Sequence, residues 1–209
     1  MKKYSIGIDL GTTNCVVAYT ELSDQRPAIE LLKLEQVTAP QQTESPTSLP
    51  SFLYVPTAEE SASGTLTVPG LPDYPTVQGS YARGISAERP DRTIAAAKSW
   101  LCHAGVDRHA PILPWGSDAD VTKFSPVVAC KLLLRQLVDT WQTQFPDAPL
   151  SEQLVTLTVP ASFDMAAREL TREAALAAGL PVDFILLEEP QAAVYHWLEQ
   201  SGDNWRKVM

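Results

Sequence analysis

Cysteine is scarce in this chain. Three thiols in 209 residues, Cys15, Cys102 and Cys130, are too few and too scattered for a disulfide framework, which suits a reducing cytoplasm and excludes a small stapled secreted scaffold. Basic residues are also in deficit. Sixteen Lys and Arg against 25 Asp and Glu leave a formal charge of −9, and no Lys/Arg cluster forms a stripe that would track a phosphate backbone, so nucleic acid is not expected as a partner. Long apolar runs and a cleavable leader are absent too, so neither membrane insertion nor secretion is expected. Cys102-His103 with His109 lacks the short ligand spacings of a metal site, and Cys102 reads as a partly buried helix residue. What the chain does have is 44% apolar residues, enough for a real core in one large or two small domains.

The stretch around which the rest is organised is YSIGIDLGTTNCVVAYT, residues 4–20. It reads as two apolar strands, Ile6 to Leu10 and Cys15 to Tyr19, joined by a tight turn of Gly11, Thr12, Thr13 and Asn14. Gly11 lets the backbone turn without a Cβ, and the next three residues offer successive amides and hydroxyls to an anion such as phosphate. Asp9 lies just below. A carboxylate there would repel a bare phosphate, so it makes sense with magnesium between them, held through water. The alternative is a surface hairpin whose turn residues serve backbone angles alone.

Downstream, Ala28 to Leu34 reads as a third, antiparallel strand. From Gln36 to Tyr81 the texture changes to seven prolines and many Ser and Thr, with aromatics recurring, which predicts a small irregular β subdomain with long loops. A short helix is expected over Ser80 to Glu88 and another from Asp91 to about His103, with Lys98 near the edge of its apolar face; residues 104–124 read as loop. Ser125-Pro126 is a helix start, followed by a stripe of Val127, Cys130, Leu134, Leu137, Val138, Trp141 and Phe145. Leu154 to Val159 reads as a strand buried on both faces and stopped by Pro160. Ser162 or Asp164 caps a helix with an Ala-rich face that stops at Gly179; Phe184 to Leu187 is a further strand, and Pro190 opens a helix ending near Gly202. The last two strands, joined by a helical crossover, are expected parallel. The sum is an α/β fold with a mixed five-stranded sheet flanked by helices: a base of residues 1–36 and 125–209, and a smaller inserted α+β subdomain of residues 37–124.

Three separated segments resemble the 70-kilodalton heat-shock chaperones of the DnaK type: IGIDLGTTNC the first phosphate motif, LTVPASFDMAARELTREAALAAGLP the strand-proline-helix segment, and LLEEPQAAVYHWL the glutamate-proline segment. The first is shared across the actin and sugar-kinase superfamily; the three in this order are more specific, and the resemblance covers residues 4–20, 90–101 and 150–200. It implies an actin-like ATPase (ribonuclease H-like) fold, with ATP/ADP and Mg2+ as cofactors. By the same resemblance Gly11, Thr12, Thr13 and Asn14 bind the nucleotide phosphates, and Asp9 orders water around magnesium. Lys98 reaches the γ-phosphate and attacking water, and Glu189 helps to position them. Pro160 and Arg168 match the pair that relays nucleotide state between domains; from the residues alone they read as a strand stop and a solvated helix arginine.

Departures from the pattern are Ser162 for the family's tyrosine, Asp164-Met165 for its Asn-Asp, and Glu188 for the asparagine before Glu-Pro. The sequence runs out at Trp205 to Met209 before a second phosphate motif, an adenosine-binding lobe, an interdomain linker or a peptide-binding domain. The expectation is therefore a lobe I fragment of the ATPase domain of a cytoplasmic chaperone-like protein acting in folding and the stress response. The partners expected are the rest of that domain, a substrate-binding domain, a J-type cochaperone, a nucleotide exchange factor and, for the fragment, itself. The alternatives are a small-molecule kinase of the same superfamily and a non-enzymatic actin-like nucleotide-binding module.

Overall fold

The computed structural model describes residues 2–23 and 28–201, so the helix end expected near Gly202 and the terminal Trp205 to Met209 lie outside the described residues. Its centre is strand β1 (Tyr4–Leu10), in which large and small side chains alternate. Tyr4, Ile6, Ile8 and Leu10 are buried, whereas Gly7 and Asp9 on the other face are exposed. β1 runs antiparallel to β2 (Asn14–Glu21), which pairs on its far side with the short β3 (Glu30–Leu31). The third strand is thus two residues long, shorter than the run Ala28 to Leu34 implied: the Leu32 amide still donates to the Val17 carbonyl at 2.9 Å, but the Leu34 amide turns to the Pro46 carbonyl at 2.7 Å, and both side chains fill the core at 1% and 0% exposure.

Residues 36–100 supply the next elements: β4 (Gln36–Ala39) and β5 (Gln42–Glu44) form a hairpin, and β6 (Leu49–Pro50) pairs with the start of β2. β7 (Phe52–Tyr54) lies between β8 (Val77–Gln78) and β9 (Thr93–Ala95) in a three-stranded sheet. Helix α1 (Ala58–Ser63) is held by a capping box between Thr57 and Glu60, and α2 (Ser80–Ile85) is shorter than the run to Glu88 expected from the sequence. The helix expected over Asp91 to His103 does not form. Pro90–Arg92 is a 3-10 turn, β-branched Thr93 and Ile94 enter β9, and only α3 (Ala97–Trp100) is helical. Cys102 follows it in a turn and is exposed, not part of a buried helix face.

The long helix α4 (Pro126–Gln144) starts where the sequence places it, with Ser125 Oγ accepting from the Val128 amide at 3.1 Å and proline in the first turn. Its stripe carries the fully buried Trp141, whose Nε1 donates to the Ala148 carbonyl at 2.8 Å while the ring packs against Tyr4, Tyr19 and Phe145. After a 3-10 turn at Leu150–Glu152, β10 (Leu154–Val159) and β11 (Ile185–Glu188) flank helix α5 (Met165–Ala178) and pair in parallel, as the crossover predicts. Asp164, not Ser162, caps α5, accepting from the Ala167 amide at 2.8 Å; Gly179 ends it at φ 103°, a left-handed conformation that suits glycine. The main sheet has the order β11-β10-β1-β2-β3, with β6 added beside β2.

β10 is not buried on both faces. Val155, Leu157 and Val159 face the core, while Thr156 and Thr158 are half-buried and Leu154 is exposed. Among the described residues, one face of the sheet is therefore covered by α4 and α5, and the other is left largely open, with Ala192 at one side of it. Residues 37–124 contribute to both cores: Leu49, Leu53, Ile94, Ala97, Leu101 and Leu113 join the main one, and Val37, Tyr54, Leu66, Val77 and Ala82 form a second.

The last helix, α6 (Glu189–Ser201), buries none of its described residues, and Val194 and Tyr195 are 55% and 63% exposed beside Pro190. An apolar helix surface in water favours association. Light scattering of the chain is expected to show mass rising with concentration, and Val194→Lys with Tyr195→Lys to return it towards a monomer; a strict monomer at high concentration is the opposing result.

Candidate functional site

Mostly apolar side chains, with Asp9 and two threonines among them, collect on the open face of the main sheet. Gly7, Asp9, Val16, Ala18, Thr156, Thr158, Leu187 and Ala192 line a groove of about 230 Å³ there. Asp9 Oδ1 accepts a 2.7 Å hydrogen bond from Thr158 Oγ1 on the neighbouring parallel strand, the residue opposite it in register. The carboxylate is thus oriented and still exposed.

At the end of β1 the chain reverses through Gly11, Thr12 and Thr13, and Asn14 already belongs to β2. Thr12 and Thr13 are exposed. A Cβ built on Gly11 would lie 2.2 Å from the Asn14 carbonyl oxygen, so the tightness of the turn requires glycine. Ser51 Oγ donates to the Gly11 carbonyl at 2.7 Å, and the Ser51 amide to the Thr13 carbonyl at 2.8 Å.

Lys98 reaches the same end of the sheet by another route. Ala96 takes a left-handed conformation, φ 52° and ψ 37°, directly after β9, and this sharp corner turns α3 inward so that Lys98 is 3% exposed. Non-glycine residues in that region cost of the order of 1–3 kcal/mol and need surrounding structure to hold them. The ammonium pairs with Glu189 Oε1 at 2.6 Å and lies 5.9 Å from the centre of the Phe163 ring. The preceding glutamate takes another cation: Arg168 pairs with Glu188 Oε1 at 2.6 Å, and its Nε donates to the Phe163 carbonyl at 3.1 Å. Arg168 is therefore a partly buried, doubly bonded group, in contrast to the solvated helix arginine of the sequence reading. Pro160 directly follows β10, and its carbonyl accepts from the Phe163 amide at 3.1 Å.

The structure thus makes one cluster of Lys98, Glu189, Arg168 and Glu188 around Phe163, and a second of Asp9, Thr158 and the hairpin turn. Cys15, fully buried, stands opposite Leu10 at the base of the hairpin turn. Ser51, Thr158 and Phe163 are the residues that sequence reasoning missed. Thr158 alone carried a signal, as a polar residue in an apolar strand. Among the described residues no group of three His, Cys, Asp or Glu is arranged to hold a metal ion directly. Chemically, a lone oriented carboxylate, a tight turn of exposed residues and a buried lysine suit an anion bound with a water-held cation more than a cation bound by protein ligands alone.

No family model matches the chain. Over 97% of its length it is 31% identical to the chaperone protein HscA homolog of Tolumonas auensis. The chain is similar to HscA chaperones. Homologs so named from Acinetobacter baumannii, strains AYE and ACICU among them, are 28% identical over 96% of the chain. In each comparison the chain spans only 29% of the length of the curated relative. The similarity agrees with the heat-shock chaperone resemblance of the three segments, and extends it through the proline-rich residues between them.

Two outcomes follow from this geometry. Gly11→Ala has to displace the Asn14 carbonyl and is expected to cost about 1–3 kcal/mol, read as a lower Tm together with faster amide exchange at the Leu10 and Cys15 pair; exchange and Tm equal to the parent would contradict the turn described. Burial pushes the Cys15 and Cys130 thiols up to about 11 and about 12, whereas Cys102 is exposed. Only the thiolate is nucleophilic, so at pH 8 the folded chain should consume one equivalent of an alkylating reagent quickly and three when denatured. Because the two buried thiols keep their protons longer when folded than unfolded, stability is expected to be fully present below about pH 9 and to fall as pH rises towards 11 and 12.

Proposed function

We propose that this chain is the first lobe of the ATP-binding domain of a chaperone-like protein of the heat-shock type, in which its open sheet face holds nucleotide phosphates and magnesium. The observation that carries the reading is that the buried Lys98 ammonium pairs at 2.6 Å with Glu189, directly after the end of β11, the end of the sheet at which register sets Asp9 opposite Thr158 and Thr158 opposite Leu187. Those groups arise from three distant parts of the sequence, and each has the chemistry that phosphoryl transfer demands: positioning and compensation of oxygen charge.

In this reading Gly11, Thr12, Thr13 and Asn14 receive the phosphates through backbone amides and hydroxyls. Asp9, one oxygen held by Thr158, has its exposed carboxylate available to the water shell of magnesium. Bound magnesium would neutralise charge on the phosphate oxygens. Lys98 is directed at the terminal phosphate. Glu189 holds Lys98 in place until an anion competes for it, and then has an oxygen available to orient water. Arg168, a member of this cluster, and Pro160 beside it would carry its state to the rest of the protein. The remainder of the ATPase domain, a substrate-binding domain, a J-type cochaperone and a nucleotide exchange factor are the proposed partners. The surface they meet has its own character here, because Met165 is 80% exposed and Ser162 is exposed where the family pattern has other residues. Residues 37–124 as an inserted subdomain, and a cytoplasmic location, belong to the same proposal; no helix among the described residues is long and apolar enough to cross a membrane.

On this face the phosphates remain in contact with water, where each hydrogen bond exchanges with solvent for little net gain. Calorimetric titration of the chain with Mg-ATP is expected to give an affinity weaker than micromolar and no measurable turnover; micromolar or tighter binding would contradict it. With the remaining ATPase domain present, Lys98→Ala is expected to reduce single-turnover hydrolysis by about a hundredfold or more, with nucleotide affinity nearly unchanged. Hydrolysis within a few-fold of the parent would remove Lys98 from the role.

A further inference from the structure

The hairpin turn is held from inside the protein by one residue. Ser51 is 1% exposed and follows β6, whose Leu49 and Pro50 pair with Cys15 and Asn14. Its hydroxyl donates to the Gly11 carbonyl at 2.7 Å and its amide to the Thr13 carbonyl at 2.8 Å. The hydroxyl has a single proton, already used, so in the 3.3 Å contact between Cys15 Sγ and Ser51 Oγ the thiol is the donor.

A planar trans peptide directs its N–H opposite to its C=O. The Gly11 carbonyl shares a peptide with the Thr12 amide, and the Thr13 carbonyl shares one with the Asn14 amide. With both carbonyls turned towards buried Ser51, the Thr12 and Asn14 amides are directed away from it, on the side where Thr12 and Thr13 are exposed. Two amides directed outward at one tight turn, beside the exposed Thr12 and Thr13, are donors available to an anion. We propose that Ser51 is the positioning residue of this turn, fixing the Thr12 and Asn14 amides towards an incoming phosphate; the inference rests on the phosphate reading of the turn given above.

Ser51 also ties the turn to Lys98. The next residues form β7, in which Phe52 pairs with Ala95 of β9, and Ala95 precedes the Ala96 corner that directs Lys98 inward. One continuous strand therefore sets the turn on one side and the lysine on the other, so the spacing between turn and ammonium is a property of residues 51–54. Replacement of the hydroxyl leaves the Gly11 carbonyl and the Cys15 thiol without their partner while the Ser51 amide keeps its bond.

The test uses the 15N-labelled 209-residue chain, its Ser51→Ala and Ser51→Thr variants, and inorganic triphosphate with magnesium as the probe. Without the probe, Ser51→Ala is expected to lower the heteronuclear NOE of Gly11 to Asn14 and shift their amides, and Ser51→Thr to restore both. With the probe, the Thr12 and Asn14 amides should shift, with a dissociation constant about fivefold larger in Ser51→Ala, the equivalent of one ordinary hydrogen bond, and restored in Ser51→Thr. A turn as rigid in Ser51→Ala as in the parent, or a probe affinity unchanged by a loosened turn, overturns the proposal. A turn loosened by alanine and restored by threonine, with no probe response in any chain, upholds the positioning role and overturns the phosphate reading.

Discussion

The structure depends on the two-faced character of β1. Its buried residues, Tyr4, Ile6, Ile8 and Leu10, lie over α4, while Gly7 and Asp9 face the open side, and the strand is paired in parallel with β10 and antiparallel with β2. A slip of one residue against either neighbour would place Asp9 in the core and Ile8 in the groove. An unpaired carboxylate in an apolar core is costly enough to exclude that register. The need to bury one row thereby fixes the position of the other, and the opposition of Asp9 and Thr158 is a by-product of how Ile8 and Leu157 pack.

Lys98 poses the converse problem of a cation brought inside. At 3% exposure the ammonium has lost its water, and a buried charge without a partner costs several kcal/mol, about 3–5 when one member of a pair is removed. Glu189 answers that cost and stays half-exposed itself, so the pair is closed at the lysine and open to water at the carboxylate. In the proposed function a stronger anion would take over the same ammonium and release Glu189 to the water it already meets. This is why a carboxylate that holds a lysine in the absence of ligand is compatible with a lysine that serves a phosphate in its presence.

Legibility followed the range of the forces concerned. Ser125-Pro126, the α4 stripe, Asp164 and Gly179 were readable because caps and periodicity are local, and the parallel pairing of β10 and β11 followed from the helix between them. The hairpin was readable because four consecutive residues specify it. The helix expected across residues 91–103 failed because TIAAAKSWL favours helix by composition, while Thr93 to Ala95 gains more by completing the sheet on β7, and the Ala96 corner then cuts the remainder to one turn. The double burial expected of β10 failed because an apolar run does not reveal that one face of its sheet is left largely uncovered by the described residues. Ser51 was invisible for a similar reason: a serine between Pro50 and Phe52 looks like a turn residue until its three bonds to the hairpin, 36 to 40 residues away in sequence, are seen.

The two ion pairs beside the groove are joined through one residue. Phe163 lies under the Lys98 ammonium with its ring and accepts from Arg168 Nε with its carbonyl, while Glu188 and Glu189, consecutive at the junction of β11 and α6, each take one of the two cations. Neither glutamate can move far without moving the other, because a single peptide separates them. Both cations meet Phe163, Lys98 over its ring and Arg168 at its carbonyl. Effects of substitution at these positions are therefore expected to depart from additivity, and the excess between Lys98 and Arg168 would report the coupling directly. Such coupling needs no contact between the two cations. It follows from the strand-to-helix junction, which places one carboxylate at the end of the sheet and the next at the start of α6.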